Sequence, residues 1–450
     1  MTRSTIVAGA VVTLLAVLAL TAGHRALKQA DVPTATPSPA IAPGTTAAPA
    51  EAQPGFLYGR VTTEDGPTYE GRLRWGRDEE AFWGDYFNGS KQENRWAAQV
   101  PSERLPKERR PLEIFGLEIA QRERPIDLGR LFMARFGDIA RIEARGRDAR
   151  VTLKSGTAFD LDGNAANDFY DGVRVWDGKR GVVDLAQRQI RKIEFLPTAP
   201  LGAAPSRLHG TVRTRQGDFT GFVQWNRQEC VGTDELAGHT DDDELSLRFD
   251  TIRSIARRSR ESSVVTLLDG REIALSDTRA VGQGNRGIYV DDPRYGRVLV
   301  SWDAFERVDF SPAGSGPAYD DFPPGRPLMG SVATRTGRRL TGRLVYDLDE
   351  SETTETLDAP SQGVDYTIPF GLVASIALSG RQEDGKQRAR LTLHNAPELR
   401  LERNGDLGER NAGLLIFVDG QERPEYVAWT DVEQIDFDRP ATMYPPLGRR

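Results

Sequence analysis

The chain has 450 residues, of which 38% are apolar and 28% charged, with a formal net charge of −7. This length suits about three ordinary domains, and the apolar content excludes a chain that is disordered throughout. The negative balance argues against a nucleic-acid partner, because such binding rests on Lys and Arg displacing condensed counterions, and the lone Cys230 excludes an intramolecular disulfide, leaving packing to stabilise the fold.

Residues 6–23 (IVAGAVVTLLAVLALTAG) form an uncharged apolar run behind Arg3. The run is long enough for the apolar part of a signal peptide and borderline for a membrane-spanning helix. Residues 1–30 are therefore predicted to be a signal peptide or a signal anchor. Either implies an exported chain, periplasmic or extracellular, held to the membrane if the N-terminal hydrophobic helix is retained. Residues 31–55 are rich in Pro, Ala and Thr with almost no bulky apolar side chains, and read as a disordered linker that acts as a tether.

Beyond the tether one pattern occurs three times: LYGRVTTEDGPTYEGRLRW, LHGTVRTRQGDFTGFVQW and LMGSVATRTGRRLTGRLVY. Gly59, Gly66 and Gly71 correspond to Gly210, Gly217 and Gly221 and to Gly330, Gly337 and Gly342. Trp75, Trp225 and Tyr346 each stand four residues past the third glycine. Alternating apolar positions around a glycine that tolerates positive φ predict a β-hairpin in each copy. Phe136, Ile139 and Ile142 recur as Phe249, Ile252 and Ile255 and as Phe370, Val373 and Ile376, a spacing of three that suits a helical turn. Two further strands follow in each copy (VTLKSGTAFDL, VTLLDGREIAL, LTLHNAPELRL), and each copy closes on a similar run, IRKIEF, FERVDF or VEQIDF.

These strands place the chain in the mainly β class, as three tandem repeat modules of short antiparallel strands. Their rhythm resembles that of small SH3-like or Sm-like barrels or sandwiches, and the doubled motif implies two sub-barrels per module. The resemblance covers each half-module as a pattern and carries no function with it. The predicted modules are 56–198, 205–313 and 326–440, separated by Pro- and Gly-rich linkers and followed by a tail at 441–450. Gly210 lies 151 residues past Gly59 but only 120 before Gly330, which places an insertion in the first module, near 88–130.

The usual catalytic signatures are missing and the four histidines are scattered, so neither a catalytic residue nor a cofactor is assigned. In DLDGNAANDFYD, Asp160, Asp162, Asn164, Asp168 and Asp171 occupy calcium-loop positions, but Ala165 stands where the sharp turn wants Gly and Asp171 where a bidentate Glu belongs. This stretch reads as a plain acidic turn rather than a calcium site. Glu79, Glu229 and Glu350 each follow the motif aromatic by four residues, amid other acids such as Asp347 and Asp349. They are candidates for a shared cation or basic-ligand site, weighed against ordinary solvated loops.

Phe82, Trp83, Tyr86 and Phe87, behind a candidate helix cap at Asp78, form the candidate binding surface for a protein or glycan, with Trp83, Tyr86 and Phe87 on one helical face. The competing reading is that they fill a core. Arg104, Lys107, Arg109 and Arg110 lead into the apolar run LEIFGLEIA, a candidate extra strand. Together these features predict a non-catalytic binding or scaffolding protein of the cell envelope whose repeated β modules face a protein or glycan partner. The alternatives are an envelope hydrolase or glycan-processing enzyme using loop carboxylates, and a calcium-stabilised surface module.

Overall fold

The computed structural model describes residues 53–440, apart from 77–78, 106, 115–116, 126–127, 129–130, 164–167, 202–204, 242, 313, 315 and 379–386, and only the backbone for 108–114 and 117–125. The described chain is built of antiparallel strands, with 3₁₀ turns of three or four residues as its only helix.

The first repeat forms an eight-stranded sheet in the order Gly181–Leu185, Val173–Asp177, Thr68–Trp75, Tyr58–Thr63, Ile190–Phe195, Ile139–Arg145, Asp148–Leu153, Ala158–Leu161. The third repeats that order with Glu425–Val427, Leu414–Phe417, Arg339–Val345, Met329–Thr334, Val432–Phe437, Val373–Leu378, Arg388–Leu393 and Leu399–Glu402. The second contains the same run, from Gly296–Val300 through Ile288–Asp292, Gly217–Gln224, His209–Thr214, Phe305–Phe310, Ile252–Arg257 and Ser262–Leu267 to Glu272–Ser276. A hairpin at each end extends that sheet to twelve strands.

The glycines of the motif have two separate causes. Gly66 and Gly337 sit in the hairpin turn at φ +97° and +83°, where a side chain is strained. The outer pair instead face each other across the hairpin, Gly59 to Gly71, Gly210 to Gly221 and Gly330 to Gly342. A Cβ on Gly71, Gly221 or Gly342 would lie 1.9, 2.1 or 2.1 Å from the carbonyl oxygen of Trp176, Asp291 or Phe417 on the next strand. Backbone cannot yield as a side-chain tip can, so Gly221→Ala is expected to destabilise the fold by about 1–3 kcal/mol, and more than Gly66→Ala, whose Cβ meets nothing within 4 Å. Thermal denaturation of the two variants checks that ranking.

The spacing of three has a β explanation. Phe136–Asp138, Phe249–Thr251 and Phe370–Leu372 are single 3₁₀ turns, each feeding a strand that begins at the next residue. A bulge then shifts the register between Ile139 and Arg141, between Ile252 and Ser254, and between Val373 and Ser375. The extra residue sends positions three apart to one face, and all six strand residues of the motif (Ile139, Ile142, Ile252, Ile255, Val373, Ile376) are buried.

The expected small SH3-like or Sm-like barrels are corrected to open sheets. Among the described residues no sheet closes on itself: the outermost strands of each sheet are not paired with each other. In the second repeat the reason is visible, because Gly296–Val300 pairs with Val364–Pro369 of the third repeat and its edge is already filled. The expected signal peptide, N-terminal hydrophobic helix, membrane anchor and periplasmic or extracellular placement are corrected as well. Among the described residues no helix is long and apolar enough to cross a membrane. The longest, Asp168–Asp171, has four residues, against about 20 needed to span a hydrocarbon core. The run 6–23 and most of the 31–55 tether lie outside the described residues.

One continuous apolar core runs through the second and third repeats. A second fills the first repeat and takes in Phe222, Tyr319 and Phe322. A third, smaller one forms where Trp96 and Val100, ahead of the inserted hairpin Lys107–Ile114 and Leu117–Pro125, cover Val345, Leu348 and Tyr426. Polar groups join the repeats too. Arg297 reaches from the second repeat to Asp85 of the first (Nη2 to Oδ1, 3.3 Å) and to Asp291 beside it (Nε to Oδ1, 3.2 Å). The rings of Tyr86 and Tyr289 stand 4.8 and 4.2 Å from its guanidinium carbon.

Candidate functional site

The turn after the motif aromatic is built alike in all three repeats. The backbone N–H of Trp75, Trp225 and Tyr346 donates to the carbonyl of Glu79, Glu229 and Glu350 at 2.8, 2.7 and 2.7 Å. The aromatic's own polar atom donates to a carbonyl in a 3₁₀ turn: Trp75 Nε1 to Asp168 at 2.7 Å, Trp225 Nε1 to Ala280 at 2.8 Å and Tyr346 Oη to Asp406 at 2.7 Å. A carboxylate then accepts two successive N–H groups: Asp85 those of Glu80 and Ala81, Asp234 those of Cys230 and Val231, Glu355 those of Ser351 and Glu352. The glutamates therefore recur at a shared backbone turn, where the main chain does the common work.

What differs is the third repeat. Its turn residues Asp347 and Asp349 take the places of Asn226 and Gln228 in the second. There, Arg286 fills the turn, donating to Asn226 O at 3.0 Å and Gln228 Oε1 at 3.0 Å. Its N–H bonds Asn226 Oδ1, as the N–H of Ala412 bonds Asp347 in the third repeat, so Ala412 holds the position of Arg286 and carries no cation.

A cavity of about 270 Å³ opens beside this turn. Six carboxyl groups line it (Asp347, Asp349, Glu350, Glu355, Asp358, Asp406), against two cations, Lys91 and Arg410. Lys91 enters from the first repeat and is buried, its Nζ 2.9 Å from Asp349 Oδ1 and 3.3 Å from Glu355 Oε1. Burial works against its charge, but Glu355 and Asp349 hold the ammonium above its ordinary range. The other acids are less well served. Asp406 Oδ2 accepts the N–H of Asp358 at 2.6 Å and Asp358 Oδ1 the Thr367 hydroxyl at 3.0 Å. Glu350 is a half-buried residue, yet its Oε2 is shielded from solvent and has no hydrogen-bond partner.

Electrostatics follow from that crowding. Burial, with a smaller contribution from Asp349, pushes Asp347 up to about 7. Asp349 is pushed up to about 6 by burial, against the pull of Lys91, and burial likewise takes Asp358 to about 6. Glu350 and Asp406 are driven well above the carboxylate range by burial, then by neighbouring acids, Asp349 for the first and Asp358 for the second. Desolvated carboxylates within reach of one another hold protons that isolated ones would lose.

No known protein family, curated protein or solved structure matches the chain. The site is therefore read from its own chemistry.

The other candidates fall elsewhere. Phe82, Trp83, Tyr86 and Phe87 are at most 3% exposed, so none is presented to a partner. They sit in a turn and the strand Tyr86–Ser90 rather than on a helix, and Phe82, Trp83 and Phe87 belong to the core of the first repeat. Asp78 lies outside the described residues. The calcium-loop acids disperse: Asp160 forms a two-pronged pair with Arg150, Asp168 accepts two hydrogen bonds from Asn88, and Asn164 is outside the described residues. Among the described residues no group of three or more His, Cys, Asp or Glu is disposed to hold a metal ion. Of Glu79, Glu229 and Glu350, only Glu350 lines the acidic cavity. Lys91, Glu355, Asp358 and Asp406 were missed by the sequence. One signal was available: the third copy gathers Asp347, Asp349 and Glu350 at a turn where the second has Asn226, Gln228 and Glu229.

Proposed function

We propose that this chain is a non-catalytic binding protein that takes a cationic group of its ligand into the acidic cavity between its first and third repeats. The observation that carries this reading is Glu350 Oε2, shielded and without a hydrogen-bond partner, in a cavity lined by six acids and two cations. A buried polar atom left unmatched costs roughly 1–3 kcal/mol, and a bound cation recovers that cost while offsetting the repulsion among the acids. Hydrolysis of a glycan by loop carboxylates is the weaker reading, because a cavity of about 270 Å³ takes a side-chain-sized group rather than a saccharide chain.

The sign of the pH dependence follows. Asp347, Asp349 and Asp358 have folded values above the unfolded reference near ~4, so the stability they contribute is complete below that reference and is lost as pH rises through about 6 to 7. The melting temperature of the ligand-free protein is expected to fall between pH 5 and pH 8 on account of this cluster. Asp347→Asn should raise it by several degrees at pH 8 and flatten the dependence. At least one of calcium chloride and cadaverine should restore stability to the wild type at pH 8, beyond sodium chloride of equal ionic strength, and much less to the variant. If neither cation outperforms sodium chloride, or if Asp347→Asn lowers the melting temperature at pH 8, the reading is wrong.

A further inference from the structure

We infer that the group taken by this cavity is an alkylammonium: a primary ammonium on an aliphatic stem, as in a diamine or a lysine side chain. The inference rests on the cation-binding reading and adds the class of cation. Three observations carry it beyond a generic acidic cluster.

The first is the apolar wall that shares the cavity with the acids. Leu128, Leu131, Phe132 and Met133 face the cavity from the first repeat. Leu131 is 56% exposed, one of the few large apolar side chains in the described chain left in water. A hydrated metal ion gains nothing from such a wall, whereas methylene groups laid along it leave water at roughly 25 cal/mol per Å². The lining thus offers both carboxyl groups and apolar surface, the two things a lysine side chain or a diamine can use together.

The second is the tethering of the acids. Asp347 is held by the N–H of Ala412, Asp406 by that of Asp358, Asp358 by the Thr367 hydroxyl, and Glu355 by the turn it caps. To gather on one ion they would have to leave these donors, which agrees with the lack of any metal-binding disposition among the described residues. An ammonium group needs no such gathering, because its three N–H donors can point to separate acceptors. Glu350 Oε2 is the acceptor still waiting.

The third is internal precedent. Lys91 Nζ already uses two members of the cluster, Asp349 and Glu355, as a primary ammonium would. In the second repeat the corresponding turn is filled by the chain's own Arg286, whose place Ala412 takes in the third. The third repeat therefore keeps the acceptors, adds acids, and must draw any further cation from outside itself.

Binding is coupled to proton release. The acids on the turn (Asp347, Asp349, Glu350), on the following hairpin (Glu355, Asp358) and on the 3₁₀ turn (Asp406) face one another, with Lys91 and Arg410 as the cations of the lining and Arg95 close enough to act on Asp349. An ammonium ligand favours the ionised acids, so its affinity rises with pH.

Isothermal titration calorimetry on the intact chain tests this, with cadaverine, Nα-acetyl-lysine methylamide, tetramethylammonium and calcium chloride as probes at pH 6 and pH 8. Cadaverine is expected to bind at least tenfold more tightly at pH 8 than at pH 6. Tetramethylammonium, which has no N–H to donate, should show no binding. Glu350→Gln should weaken cadaverine at least tenfold without lowering the melting temperature, and Leu131→Ser should weaken cadaverine while leaving Lys91 and the acids in place. Binding of the lysine derivative as well assigns the ligand to a partner's lysine side chain, and its failure beside a positive cadaverine result assigns it to a free diamine; both uphold the inference. Calcium binding without cadaverine binding overturns the alkylammonium class and leaves the cation reading standing. Silence from every probe overturns both.

Discussion

Arg297→Met is expected to lower the free energy of unfolding by about 3–5 kcal/mol, the usual loss when one partner of a buried ion pair is removed. The side chains of Arg297, Asp85 and Asp291 are 9%, 4% and 4% exposed, so water cannot replace the guanidinium. Asp291 is pushed up to about 6 by burial even with Arg297 pulling it down. Without that pull it must protonate or rely on the weaker influence of Arg207 alone. Arg297→Lys should recover only part of the loss, because an ammonium cannot reach both carboxylates in one plane or stack between Tyr86 and Tyr289 as a guanidinium does. Urea denaturation of the two variants settles the matter. A loss of less than about 1 kcal/mol in the methionine variant would mean that this buried ion pair contributes little to the joint of the first and second repeats.

Lys91→Met is expected to cost a similar amount at pH 8, about 3–5 kcal/mol, by a different route. It strips Asp349 and Glu355 of their cation at the joint of the first and third repeats. Asp349 already stands near 6 with Lys91 present, and without it the group keeps its proton to higher pH. A carboxyl raised in this way favours the folded state at low pH and gives up that stability as pH rises through its folded value. The cost of the variant should therefore shrink markedly at pH 5. The same denaturation measurement at the two pH values checks this, and an equal cost at both would show that the lysine stem, not its charge, is what the fold uses.

How far the sequence could be read depended on the range of the interaction. The motif glycines and the aromatic four residues later mark hairpins because both strands lie within one short stretch, and Gly59 does pair with Gly71, Gly210 with Gly221 and Gly330 with Gly342. The second cause of those glycines, a neighbouring carbonyl that occupies the place of a Cβ, comes from strands such as Val173–Asp177, about a hundred residues on, and leaves no local trace. Closure was misjudged for a related reason. Short strands of even rhythm suit a barrel and an open sheet equally well, and in the second repeat the edge of Gly296–Val300 meets the third repeat rather than its own.

The acidic site shows the same limit. Asp347, Asp349 and Glu350 stand together in the chain and could be singled out. Lys91, which completes their surroundings, is 258 residues away from Asp349, and Asp406 arrives on a separate 3₁₀ turn. The aromatic cluster at Phe82, Trp83, Tyr86 and Phe87 was ambiguous because a core and a binding face ask for the same side chains. Its burial decides for the core.

The strand shared between the second and third repeats also bears on how such a chain can change over time. Duplicated units that merely sit in a row can be gained or dropped one at a time, since each completes itself. Here the hairpin Thr356–Ser361 and Val364–Pro369 belongs by sequence to one copy and by hydrogen bonding to its neighbour. Deleting either copy would strand half of a ladder. With that exchange in place, the second and third copies are a single inheritance, free to diverge in their turns but not to be lost one at a time.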